Sequence, residues 1–192
     1  MNKRLVDVAE VRMGYSFRSR LEIDAAGDVA VIQMKDIDEL NSLHLESFVR
    51  IEMPELREKH LVQVGDLLFR SRGNSYAAVV VEDCLGRTVL AAPMMLIRTQ
   101  VSCIESAYLQ WFINQPTTQK ILTAQAAGTA VKMISKAALE QLVIAVPPLE
   151  IQRRIVEIGR LASLEARITD QLMDRRKMLV EKFLMHQAQN TC

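Results

Sequence analysis

Between Phe69 and Tyr76 the chain reads Arg70-Ser-Arg-Gly-Asn-Ser75, a short turn carrying two guanidiniums, two hydroxyls and an amide. These are side chains suited to reading base edges: Arg can donate twice to guanine in the major groove, and Asn can pair bidentately with adenine. Gly73 lets the backbone come close to a ligand. Arg70, Ser71, Arg72, Gly73 and Asn74 are therefore candidate DNA contacts, with a solvated hairpin as the plainer alternative. Lys35, in Gln33-Met-Lys-Asp36, has a similar claim. Thr129 and Lys132, near Gly128, could hold phosphates or bases, although a helix C-cap accounts for that glycine without any ligand. Lys3, Arg4, Arg12, Arg18 and Arg20 make the amino terminus locally basic. Tyr15 and Phe17 interleave with those charges, and core packing is the role expected of them.

No comparable grouping points to catalysis. There is no Gly-x-x-x-x-Gly-Lys-Ser/Thr loop to hold nucleotide phosphates and no dinucleotide glycine fingerprint. Gly14-Tyr-Ser-Phe-Arg lacks the second glycine of a nucleophile elbow. His44, His60 and His186 are scattered, and Cys84, Cys103 and Cys192 have neither disulfide nor zinc spacing. We expect a protein that is not an enzyme, with no metal and no cofactor of its own.

A chain of 192 residues, 49% hydrophobic and 24% charged, should fold into one body plus an extension. The net charge of +1 excludes nothing, because nucleic-acid binding needs a basic face rather than a basic average. No apolar run reaches the roughly 20 residues of a membrane span. The first residues carry charges where a signal peptide needs its apolar core, so the expected compartment is the cytoplasm.

The elements that must position these residues follow from short apolar runs punctuated by Gly and Pro. Val29–Ile32, Leu67–Phe69, Ala77–Val81 and Met94–Ile97 read as strands. From Glu105 the pattern is helical, with an interruption near Pro116 and an end before Gly128. Ser135 is placed to cap a short helix over 136–142, and Val143–Val146 returns to strand. Pro147-Pro148 then starts a helix, with Pro148 at its first position. It runs from Glu150 to about Gln187 without proline and with Gly159 as its one glycine. An apolar stripe of Ile151, Ile155, Ile158, Ala162, Ile168, Leu172, Leu179 and Phe183 lies along it. At 1.5 Å per residue this helix is roughly 55 Å long. Much of the stripe then needs a partner helix; folding back on its own domain is the alternative. Gln171 and Arg175 or Arg176 interrupt the seam.

Several segments together resemble the specificity (S) subunits of Type I restriction-modification systems. In order they are Gly14-Tyr-Ser-Phe17, Val31-Ile-Gln-Met-Lys-Asp-Ile37, Val64-Gly-Asp-Leu-Leu-Phe-Arg-Ser-Arg-Gly73 and Gly128-Thr-Ala-Val-Lys-Met-Ile-Ser135. The last, Leu142-Val-Ile-Ala-Val-Pro-Pro-Leu-Glu-Ile-Gln-Arg-Arg-Ile-Val156, is similar to the family's PPLxEQxxIV helix start. Ile151 departs from the acidic residue usual before the glutamine, and Arg70-Ser-Arg72 carries extra charge.

The resemblance implies an α/β (α+β) chain: a mixed-sheet target recognition domain over 1–146, then a long C-terminal coiled-coil helix, for dimerisation and spacing, over 147–192. A typical member carries two such units and this chain carries one, so it is a half-length form. Either two copies cooperate as a homodimer, or a variant system uses half-subunits. The implied partners are double-stranded DNA, read as one half of a split site, together with methyltransferase (M) and restriction (R) subunits. S-adenosylmethionine and ATP would belong to those partners. A two-fold dimer would read a palindromic split site, its helices separating two readers by at least the ~34–36 Å of one DNA turn. The alternative is an oligomerisation or interaction module that kept the fold and lost sequence specificity.

Overall fold

The computed structural model describes residues 1–17, 24, 26–38, 42–73, 75–126 and 132–189. The chain divides into two compact units, Met1–Gln152 and Arg153–Cys192.

The first unit is a mixed α/β body. Its strands are β1 (Asn2–Arg4), β2 (Ala9–Met13), β3 (Val29–Ile32), β4 (Val49–Ile51), β5 (Leu67–Phe69), β6 (Ala78–Val80), β7 (Thr88–Leu90), β8 (Met95–Thr99) and β9 (Val143–Ala145). Four form an antiparallel sheet in the order β2-β8-β5-β6; three form a mixed sheet, β4-β3-β7; β1 pairs with β9. In the mixed sheet β3 runs antiparallel to β4 and parallel to β7. The unbroken apolar run of β3 follows from burial on both faces, as is usual beside a parallel neighbour. Val29 and Val31 pack with Val89 and Ile51, while Ile32 packs with Leu68, Leu90 and Leu96.

Three helices complete the body. α1 (Ser106–Asn114) ends where Pro116 opens α2 (Pro116–Gln125), because a proline lacks the N–H that a helix interior requires but a first turn does not. Ser135 caps α3 (Lys136–Glu140) by accepting from the Ala138 N–H at 3.1 Å, as its position predicts. α1 and α2 also solve the problem of β6, which ends its sheet with unpaired backbone groups. Asn114 accepts from the Ala78 N–H and donates to its carbonyl, both at 2.8 Å. Gln119 does the same to Tyr76, at 3.1 and 3.0 Å, and Gln110 accepts from Val80. Side-chain amides thus blunt an edge that would otherwise template aggregation.

Helix α4 spans Leu149–Gln189, 41 residues, or about 60 Å at 1.5 Å per residue. It begins one residue later than the proline pair predicts. The Pro148 carbonyl accepts the first helical bonds, from Ile151 and Gln152, so Pro148 precedes the helix instead of opening it. Of the expected stripe, Ile155 is half-buried, while Ile151, Ile158, Ala162, Ile168, Leu172, Leu179 and Phe183 are exposed. Ile158, Leu172 and Leu179 each keep more than 60% of their surface in solvent. No described helix is long and apolar enough to cross a membrane.

Candidate nucleic-acid interface

The turn after β5 separates its side chains into inward and outward sets. Arg70 is half-buried: its Nη2 donates to the carbonyls of Ile37 and, at 3.4 Å, Asp38, while its Nε is buried with no acceptor among the described residues. Arg70 therefore braces the turn against the segment following residues 34–36. Ser71, expected among the exposed contacts, is wholly buried. Its Oγ donates to the Pro93 carbonyl at 2.6 Å and its own carbonyl accepts from the Ile134 N–H at 2.8 Å. A buried hydroxyl needs such a partner, so the fold consumes this one, which corrects the expectation.

Arg72 is exposed and bridges Met133 in antiparallel fashion. Continuing that register sets the exposed Lys132 opposite Gly73. Gly73 has φ +111°, where an L side chain is strained. Asn74 and Thr129, like Arg18, Arg20 and Gly128, lie outside the described residues.

Lys35 is held outward by a local device. In the 3-10 turn Met34–Asp36, the Gln33 N–H donates to the buried Asp36 carboxylate at 2.7 Å, closing a capping box. Asp36 is buried and Lys35 exposed. Lys35 and Arg72 line one open cavity of about 320 Å³, with Phe17, Gln33 and Pro93 among its other walls. Three segments far apart in sequence thus bring Lys35, Arg72 and Lys132 to the neighbourhood of a single glycine turn. Phe17 and Gln33 were not among the predicted contacts: both lie in segments that the family resemblance picked out, but Phe17 was assigned to core packing and Gln33 was given no role.

Gly14 shapes the neighbouring wall. A Cβ there would sit 2.6 Å from the Ala91 carbonyl carbon, so only glycine admits this backbone approach. It sets the next residue, Tyr15, to donate its N–H to the Leu90 carbonyl and to accept from the Ala92 N–H. Tyr15 and Phe17 are half-buried, their rings 4.9 Å apart, and Phe17 packs on the core as expected. Tyr15 also meets His60 edge-on at 5.4 Å, in a second open cavity of about 530 Å³ that Arg57 helps to line. Burial, then Lys59, Arg57 and Arg12, hold His60 below its usual pKa, so it stays neutral at pH 7.

The basic amino terminus is less available than its composition implies. Arg4 pairs with Asp7 at 3.0 Å, and Arg12 with Glu10 at 2.5 Å while also donating to the Lys59 carbonyl. Arg12 hydrogen bonds hold the Glu10 carboxyl below its usual range, and Arg12 is raised in return. The Lys3 ammonium lies 3.6 Å from the Cys103 sulfur. Among the described residues no group of three or more His, Cys, Asp or Glu side chains could hold a metal.

The model of the Type I restriction modification DNA specificity domain matches residues 1–175. The chain belongs to this family. Among solved structures it resembles the HsdS subunit from Thermoanaerobacter tengcongensis, with a TM-score of 0.59 and 20% identity over 88% of this chain and 38% of that one. A chain from a structural study of type I R-M complex assembly and conformational transition matches with a TM-score of 0.66 and 20% identity, over 98% of this chain and 44% of that one. The S subunit from M. genitalium gives 0.57 and 12% identity over 88% and 40%. No curated protein sequence matches. The mixed sheets followed by a long helix are thus the fold of HsdS recognition domains, and the chain spans about two-fifths of the solved chains it matches.

Proposed function

We propose that this chain is a DNA sequence-recognition unit of the specificity subunit of a Type I restriction-modification system. The body over 1–146 reads one half of a split site, and the helix beyond it supports a homodimer that completes the subunit. The observation that carries this reading is the convergence of Arg72, Lys35 and Lys132 from three separate segments onto one exposed turn. Cations so placed can neutralise phosphates, and a guanidinium beside a glycine turn, where no side chain blocks close approach, can reach a base edge. Arg70 and Ser71 act behind them, holding the turn in place. The chain itself carries out no reaction. Methylation and cleavage belong to M and R subunits docked along the helix, in the cytoplasm, and S-adenosylmethionine and ATP are theirs.

Arg72 and Lys132 are expected to fail differently. Against a duplex selected from a random pool, Arg72→Ala should lose ~10- to 100-fold in affinity and relax preference at one base position. Lys132→Ala should weaken all duplexes alike and reduce the slope of log affinity against log salt by about 1. Fluorescence anisotropy over a salt series measures both. Affinity within twofold of wild type for Arg72→Ala and a Lys35→Ala, Arg72→Ala double variant would remove this turn from the interface.

A further inference from the structure

The antiparallel bridge between Arg72 and Met133 sorts the side chains on both segments that form it. Ser71 and Ile134, joined by the Ile134 N–H to Ser71 carbonyl bond at 2.8 Å, are wholly buried. Arg72 and Met133, one residue along each segment, are exposed, and Met133 keeps 39% of its surface in solvent. Successive side chains of extended backbone point to opposite faces, and residues directly opposed across an antiparallel pair share a face. The guanidinium of Arg72 and the thioether of Met133 therefore leave the fold side by side, from Cβ atoms ~4.5–5.5 Å apart.

A single apolar side chain on a surface is ordinary. This one stands in a cationic neighbourhood, with Lys132 preceding it and Lys35 sharing an open cavity with Arg72. A ligand that takes up the guanidinium must also cover the thioether. The major-groove edge of guanine offers Arg the acceptors O6 and N7, and that of thymine offers an apolar 5-methyl group. Neighbouring base pairs are ~3.4 Å apart along the duplex, so two side chains rooted ~5 Å apart can meet adjacent pairs. Adenine or cytosine opposite Met133 would bury an amino group against a sulfur that accepts only weakly, and an unpaired buried donor is costly. Thymine presents no such donor in that groove.

We propose that Arg72 and Met133 read DNA as a unit: Arg72 donates to guanine O6 and N7, and Met133 covers the 5-methyl group of a thymine in the adjacent base pair. The inference rests on the sequence-reading role proposed above and adds to it a residue that selects by apolar contact.

Deoxyuridine, which differs from thymidine by that methyl alone, is the probe. Each thymine of a half-site selected from a random pool is replaced in turn by deoxyuridine, and full-length wild type, M133A and M133L are titrated with each duplex by fluorescence anisotropy. One replacement, beside the guanine whose preference R72A relaxes, should weaken wild type ~3- to 5-fold, the worth of one buried methyl. M133A should bind the parent duplex more weakly and lose this sensitivity, binding the two forms within ~1.5-fold of each other. M133L keeps an apolar tip and should retain it. Thermal unfolding of both variants should match wild type, since position 133 is exposed. A selected half-site with no thymine beside that guanine, a wild type indifferent to every deoxyuridine, or an M133A chain as sensitive as wild type would each overturn the pairing while sequence reading stands. If selection returns no motif at all, the sequence-reading role itself fails and the pairing with it.

Discussion

Asp66→Ala is expected to cost about 3 kcal/mol of folding stability, the low end of the ~3–5 kcal/mol typical for removing one partner of a buried ion pair. Asp66 sits in the Val64-Gly-Asp66 turn before β5, its side chain 2% exposed. The carboxylate accepts from Arg98 Nε at 2.6 Å and Nη2 at 2.7 Å, and from the Gln63 N–H at 2.7 Å. Removing it strands a guanidinium that otherwise donates to the Leu61 carbonyl at 3.1 Å, and leaves the Gln63 N–H unpaired. The estimate is at the low end because the Arg98 side chain keeps 22% of its surface in water, which screens part of the uncompensated charge. Urea denaturation of wild type and variant measures the difference. A loss below ~1 kcal/mol would mean that solvent replaces the carboxylate and that the pair is not a structural anchor. An Asp66→Leu, Arg98→Met double variant should recover part of the loss, since neither charge is then left alone.

Gln152→Leu is the second large effect, expected at about 3 kcal/mol from three stranded backbone groups. Gln152 is the one wholly buried residue of α4 among those described. Its Oε1 accepts from the Glu105 N–H at 3.0 Å, and its Nε2 donates to the carbonyls of Cys103 and Pro147, both at 2.8 Å. One amide thus ties the approach to α1, the end of the Val143–Val146 run and the first turn of α4 within the first unit. Leucine has similar volume and no polar atoms, so the change isolates the hydrogen bonds from packing. Gln152→Glu tests the donor side: it retains an acceptor for Glu105 but offers the two carbonyls a carboxylate, and should also destabilise. Thermal and chemical unfolding of both variants read the result. A leucine variant within ~0.5 kcal/mol of wild type would show that the three groups find water or one another.

The same two residues explain what was legible in the sequence. The positions of β3, β5, β6, β8, β9 and the helices followed from apolar runs, prolines and Ser135, because those signals act within a few residues, whereas β1, β2, β4 and β7 were not marked as strands by such runs. The family motifs also located Gly65-Asp66 and Gln152, but not their work, because Arg98 and Cys103 are distant in sequence and pairing at that range leaves no local pattern. The candidate interface shows the same limit. Arg72 and Lys35 were recognisable as cations in glycine-rich or turn contexts. That Arg70 turns inward to Ile37 and Ser71 to Pro93 depends on how the turn twists against segments elsewhere in the chain. The basic amino terminus misled for a related reason, since Glu10 and Asp7 neutralise Arg12 and Arg4 through contacts that composition does not reveal. For α4 the sequence was nearly sufficient, because a helix carries its pattern in its own periodicity.

The central claim, that a pair of these chains reads a split DNA site, is tested most directly by selecting binding sites for the purified full-length chain from a pool of random duplexes. The account predicts enrichment of a palindromic motif in two halves separated by a spacer of fixed length, as two-fold symmetry of the protein demands. Retention of all duplexes alike, weakening together as salt is raised and yielding no motif, would contradict it and leave a chain that binds phosphate without reading sequence.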